Sequence, residues 1–193
     1  MNYITFDLET YSPSELNRID TNEFRVSVLG AFISWENKYI AFLEDQMSVF
    51  IDLLKECDLV VGYNHCWFDL PVLQKYANYN LKSLPTYDLM IESEKKLGFK
   101  PKLDDICKAT LGKQKTDHYE TFRHYYADKN WLPLIDYCMH DVLLTEQLFR
   151  MAVEGKPLKY EDLLATKEFI LEKPVAGQME TVMETLQVES IFG

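Results

Sequence analysis

The chain predicts an α/β fold, a mixed five-stranded sheet flanked by helices, and three observations carry that expectation. Strand-like runs fill the stretch up to Leu43, and helical patterns dominate the second half. Two of the early runs are joined at Glu36-Asn37, a tight hairpin that forms the antiparallel part of the sheet. Beyond it, short apolar runs alternate with helical patterns, the order of a sheet covered by helices.

Taken in order, residues 2–8 alternate and are rich in β-formers, so they read as a first strand. Residues 26–35 and Lys38–Leu43 are the hairpin strands. Residues 46–57 place Val49, Phe50, Leu53 and Leu54 at helical spacing. Residues 58–63 form a short apolar run bounded by Gly62 and Asn64, which suits a strand buried on both faces. Residues 67–78 read as a helix with Pro71 in its first turn, where no amide donor is missed. Residues 85–88 are a short fifth strand. Leu89–Leu97 is a helix that stops near Gly98, and Leu103–Leu111 one that stops at the cap Gly112. Helices over 120–127 and 131–151 complete the order. Residues 1–155 are expected to form one domain, and 156–193 a C-terminal tail that packs on it or serves as a partner segment.

Composition bounds the function classes. The 193 residues suffice for one domain with a real core. No apolar run approaches a membrane span and no charged-then-apolar leader precedes the first strand, so a cytoplasmic protein without membrane contact is expected. Cys57, Cys66, Cys107 and Cys138 lie far apart in sequence, which excludes a local zinc ribbon or thiol redox motif; free, buried thiols are expected. A formal net charge of −11 argues against a general nucleic-acid coat. The charge is uneven: residues 95–115 hold seven lysines against two aspartates, a local +5 that leaves −16 for the remainder. Such a patch either recruits a phosphate chain or merely solvates a surface.

Four carboxylates stand out against this background. Asp7 and Glu9 close the first strand run, and residues i and i+2 of a strand point to one side. Open α/β sheets bind ligands near the C-terminal ends of their strands. Asp69 follows the apolar run at 59–63. Asp141 lies four residues after Tyr137, on the same helix face. Each group alone has an ordinary reading: a charged strand end, a helix N-terminal acid, a half-buried tyrosine beside a surface aspartate. Crowded together they would repel one another, and bound Mg²⁺ or Mn²⁺ removes that cost. Oxygen-only ligands select such hard ions over zinc. Two of them about 3.5–4 Å apart serve phosphodiester cleavage.

Three strings carry a resemblance: Phe6-Asp7-Leu8-Glu9-Thr10, Gly62-Tyr63-Asn64-His65-Cys66-Trp67-Phe68-Asp69, and Tyr137-Cys138-Met139-His140-Asp141. They resemble, in order, the three exonuclease motifs of the DEDD superfamily. The last has the Tyr-x-x-x-Asp pattern of its tyrosine branch; the histidine branch would need His where Asp136 stands. The chain is similar in particular to stand-alone exonucleases related to the proofreading domain of family B DNA polymerases. Residues 102–112 and Tyr87-Asp88-Leu89 strengthen that likeness, which covers about residues 1–152.

The resemblance implies a ribonuclease H-like fold and a two-metal 3′→5′ exonuclease. Its substrate would be the 3′ end of single-stranded nucleic acid, DNA favoured over RNA, released as nucleoside monophosphates. Asp7, Glu9 and Asp141 would hold one ion, Asp7 would bridge to the second, and Asp69 would reach that one directly or through water. Tyr137 would orient the nucleophile. Asn64, His65 and Phe68 would lie at the terminal nucleotide, with Phe68 as core and His65 as a hydrogen-bonded loop residue the alternatives. Lys95, Lys96, Lys100 and Lys102 would contact the strand. Asp88 reads as structural. His140 is expected to face solvent, and Tyr119, Phe122, Tyr125 and Tyr126 either stack on bases or pack as core. The domain would act alone or within a larger replication, repair or RNA-processing assembly. A structure-selective endonuclease and a non-catalytic binding module are the other classes that such a fold admits.

Overall fold

The computed structural model describes residues 1–11, 21–113, 130–162 and 165–174. The expected helix over 120–127, with Tyr119, Phe122, Tyr125 and Tyr126, lies outside them, as does the tail beyond residue 174.

Five strands form the sheet: β1 (Tyr3–Tyr11), β2 (Arg25–Ile33), β3 (Lys38–Leu43), β4 (Leu59–Gly62) and β5 (Thr86–Asp88), in the order β3-β2-β1-β4-β5. The hairpin partners β2 and β3 are antiparallel, as are β1 and β2, whereas β1, β4 and β5 run parallel. Asn37 sits in the hairpin turn at φ 51°, a left-handed conformation that Asn tolerates better than most residues. The helices are α1 (Met47–Leu53), α2 (Asp69–Leu73), α3 (Leu89–Leu97), α4 (Leu103–Leu111) and α5 (Trp131–Glu154). A second, two-stranded sheet, β6 (Leu158–Glu161) with β7 (Thr166–Phe169), packs on α4.

Alternation along β1 sorts the two faces of the sheet. Ile4, Phe6 and Leu8 enter a core with Phe50, Leu54, Leu70 and Leu73 from the α1 and α2 side. Tyr3 and Thr5 turn the other way. The Tyr3 hydroxyl donates to Glu146 Oε1 at 2.8 Å and the Thr5 hydroxyl to Oε2 at 2.9 Å, so that face lies under α5. Arg150 Nε supplies the countercharge to Glu146 at 2.5 Å. A second core gathers Leu59, Val61, Tyr87, Ile106, Leu144, Leu148 and Phe149 between β4, β5 and helices α4 and α5. Leu158 and Leu171 belong to it, so the described part of the C-terminal segment is packed on the domain.

Two expected helices are shorter than their patterns. The one expected over 46–57 ends as α1 at Leu53, where tighter i→i+3 bonds to the carbonyls of Asp52 and Leu53 take over. The one expected over 67–78 begins only at Asp69 and continues from Gln74 as a 3₁₀ turn. Its first amides are engaged by the preceding loop: Phe68 N–H donates to the Asn64 carbonyl and Leu70 N–H to that of His65. Among the described residues no helix is long and apolar enough to cross a membrane.

Candidate active site

The first strand is longer than its alternation predicts, and this places the acids. Pairing with β2 continues past Glu9 to Tyr11 through a bulge in which Ser27 is the extra residue on β2, its hydroxyl donating to the Glu9 carbonyl at 2.9 Å. Asp7 and Glu9 therefore lie inside β1, toward its C-terminal end, on the same odd-numbered face as Tyr3 and Thr5. Bulges of this kind re-aim side chains beside active sites.

Helix α5 descends onto that face at one point. Gly30 stands opposite Asp7 in the β1–β2 register. A Cβ there would lie 2.9 Å from Met139 Sδ, 3.1 Å from Val142 Cγ2 and 3.2 Å from Cys138 Sγ, so the missing side chain is the room the helix occupies. The Cys138 thiol sits 3.1 Å from the Gly30 amide, which donates to it, and itself donates to the Asp7 carbonyl at 3.3 Å. Asp141 follows one turn later and is 2% exposed. Ligand oxygens of Asp7, Glu9 and Asp141 consequently all lie within 4.8 Å of one another. Burial, and then the charges of Asp7, Glu9 and Asp141, hold the Cys138 thiol well above its ordinary value, so it stays protonated beside them. Tyr137, one turn before Asp141, is half-buried and packs with Val28, Leu134 and Cys138.

Asp69, on α2, is not among the three carboxylates that converge within 4.8 Å. It opens α2 and is 5% exposed. Burial pushes its carboxyl up to about 7; the nearby His65 pulls it down, Asp88 adds to the rise, and the backbone of Asp69 itself and of Leu8 lowers it slightly. Leu8 stands between Asp7 and Glu9 on β1, so Asp69 lies close to that stretch of the strand. The folded value exceeds the ordinary aspartate value, so the folded state holds the proton more tightly. The metal-free fold thus loses stability as pH rises from about 4 through about 7. Asp69→Asn is expected to raise metal-free stability at pH 8 by about 2 kcal/mol, an advantage that fades toward pH 4. Urea denaturation with chelator at pH 5 and pH 8 checks this; a difference independent of pH would contradict it.

The loop between β4 and α2 is held by Asp88. Its carboxylate accepts from the amides of Asn64 (2.8 Å), Cys66 (3.1 Å) and Met90 (3.0 Å), and so serves both the loop and the N-terminus of α3. Burial opposes its charge, but His65 and the Cys66 and Asn64 amides outweigh burial and keep the carboxyl below the usual range. Asn64 adopts φ 65° and is half-buried at the mouth of the loop.

Several expected substrate contacts sit elsewhere. His65 is fully buried, 3.4 Å from Asp88 and edge-on to Phe6 at 5.8 Å between centroids; it supports the loop from beneath and offers no surface to a substrate. Gly62 makes that possible, since a Cβ there would lie 2.7 Å from the imidazole. Phe68 packs toward the core against Phe24 at 5.6 Å. Lys95 and Lys96 are paired with Glu92 (2.9 Å) and Glu172 (3.2 Å), whereas Lys100 and Lys102 are exposed. His140, expected in solvent, is half-buried with its Nε2 shielded from water, because α5 is covered over more of its circumference than one stripe. Sequence reasoning missed Gly30, Cys138 and Glu146. A glycine inside an otherwise apolar strand was the one available signal, as it marks close backbone approach.

Comparison with known proteins agrees with this architecture. No curated protein matches the chain. Among solved structures it is similar to the family B DNA polymerase from the hyperthermophilic archaeon Pyrobaculum calidifontis, with a TM-score of 0.61 and 20% identity, over 77% of this chain and 24% of that one. The chain thus spans about a quarter of the polymerase's length, and the likeness is one of fold. The expected ribonuclease H-like architecture is present, and the carboxylate cluster sits upon it. A family model described as RNase_H superfamily matches residues 4–153, four-fifths of the chain, and the chain belongs to that superfamily.

Proposed function

We propose that the protein is a 3′→5′ exonuclease of the tyrosine branch, removing nucleoside monophosphates from the 3′ end of single-stranded nucleic acid, DNA in preference to RNA. One observation carries the reading: Asp7, Glu9 and Asp141 converge within 4.8 Å, with Tyr137 one helical turn from Asp141. The donor set fits hard divalent ions, since it offers carboxylate oxygens and no sulfur or imidazole. Asp7, Glu9 and Asp141 would hold one Mg²⁺ or Mn²⁺, and Asp69 would contribute to a second together with Asp7. Such ions supply activation of a water and stabilisation of the leaving oxygen in an in-line displacement.

The chain's own groups do the rest. Tyr137 shares the face of α5 that bears Asp141, so its hydroxyl is suited to orient the attacking water against the scissile phosphate. Asn64, whose amide donates to Asp88, would meet the terminal nucleotide. Asp69, the most buried of the four acids after Asp141, would ionise when a cation offsets its burial.

Incubating the full chain and Mn²⁺ with 5′-labelled and 3′-labelled single strands tests the reading. Progressive shortening of the 5′-labelled strand is expected, with immediate release of the 3′ label. No shortening, or shortening from the 5′ end, would overturn it. A strand blocked at its 3′ end should survive; cutting of that strand would instead identify an endonuclease on the same fold.

A further inference from the structure

We propose that Trp67 is a stacking surface for an unpaired nucleobase of the substrate strand, with Lys100 facing the adjoining phosphate. The inference rests on the nuclease reading above and names a contact that the carboxylate site does not. Trp67 is 43% exposed, although the residues that follow it, Phe68 and Asp69, turn into the protein. An indole left partly in water keeps a large apolar surface that folding has not buried.

Its placement is set by a rigid loop. Asp88 holds the amides of Asn64 and Cys66, and the Asn64 carbonyl accepts from the Trp67 and Phe68 amides, each at 3.2 Å. Two residues further on, Asp69 is buried beside the backbone of Leu8, which stands between Asp7 and Glu9. The ring is therefore presented from the same short loop that delivers Asp69 to the acidic site. Lys100 comes from a different element, with its Nζ 5.4 Å from the Trp67 ring centroid. The Tyr63 hydroxyl donates to the Pro101 carbonyl at 2.8 Å and ties the turn that carries Lys100 to the end of β4.

The charges of the neighbouring lysines are spoken for. Lys95 and Lys96 are engaged by Glu92 and Glu172, whereas among the described residues Lys100 pairs with no carboxylate. Lys100 lies over one face of the ring, so a base would stack on the other, with a cation that no carboxylate neutralises close to the adjoining phosphate. The acidic site itself repels phosphates, so a strand needs such an anchor close by.

The test uses the full chain with short oligothymidylate and with an otherwise identical strand lacking its bases. Trp67→Ala is expected to raise KM in Mn²⁺ about tenfold on the base-bearing strand, with kcat little changed, and to leave the abasic strand unaffected. Trp67→Phe should restore most of the loss. Lys100→Gln should weaken both strands equally and flatten the salt dependence. Binding of the fluorescein-labelled strands in chelator is scored in parallel. A wild type that binds but does not cut would sink the nuclease reading while the stacking contact is still read from binding. An unchanged KM and affinity in Trp67→Ala, or equal losses on both strands, would overturn the stacking proposal.

Discussion

Asp7→Asn is expected to abolish hydrolysis, a fall of about a thousandfold or more, while leaving the fold intact. Asp7 lies at the meeting point of the site: its carboxylate is within 4.8 Å of Glu9 and Asp141, and its carbonyl receives the Cys138 thiol. Asparagine keeps the shape and the backbone contact and removes only the charge. Loss of charge stabilisation at a metal-assisted centre is worth several kcal/mol in the transition state. The same substitution relieves repulsion among three carboxylates, so the metal-free variant should melt at or above the wild-type temperature. Turnover measured against Mn²⁺ concentration, with thermal melts in chelator, checks both halves. Wild-type turnover in this variant would show that the site has been assigned to the wrong residues.

Gly30→Val is expected to lower turnover roughly a hundredfold without touching a carboxylate. The added Cβ alone meets Met139, Val142 and Cys138 at 2.9 to 3.2 Å, residues that flank Asp141 on α5. Overpacking of this kind costs about 1–3 kcal/mol and moves backbone. Raising α5 from β2 withdraws Asp141 and Tyr137 from Asp7 and Glu9. A misplacement of about 1 Å at a reacting centre lowers rates roughly a hundredfold. Gly30→Ala should be milder, because the closest atom it meets is the flexible end of Met139. Weaker Mn²⁺ affinity together with reduced kcat is the expected signature, and Gly30→Val with wild-type kcat would separate the helix contact from the chemistry.

How much of this was legible in the sequence depended on how local each feature is. Helices α3 and α4 begin and end where their patterns predict, since Asp88 caps one start and Gly98 and Gly112, both left-handed, close the ends. The hairpin is local too, and Asn37 marks its turn. By contrast α2 is short because the loop turn at Asn64 still holds residues 67 and 68 and the chain tightens into a 3₁₀ turn from Gln74, which periodicity does not register. The extension of β1 to Tyr11 depends on a bulge in its neighbour.

The candidate site divides along the same line. Two-residue spacing in a strand and four-residue spacing in a helix are enough to pair Asp7 with Glu9 and Tyr137 with Asp141, and the order of the three motifs already pointed to a nuclease of ribonuclease H-like fold. Those facts are short-range and written in the residues themselves. Only the tertiary structure decided that α5 crosses β1 at Asp7, since that depends on the space above Gly30 and on Glu146 reaching Tyr3 and Thr5. Only the tertiary structure put His65 under the loop and Trp67 above it, although they are two residues apart. A side chain's identity is local, but its burial is set by what the rest of the chain packs against it.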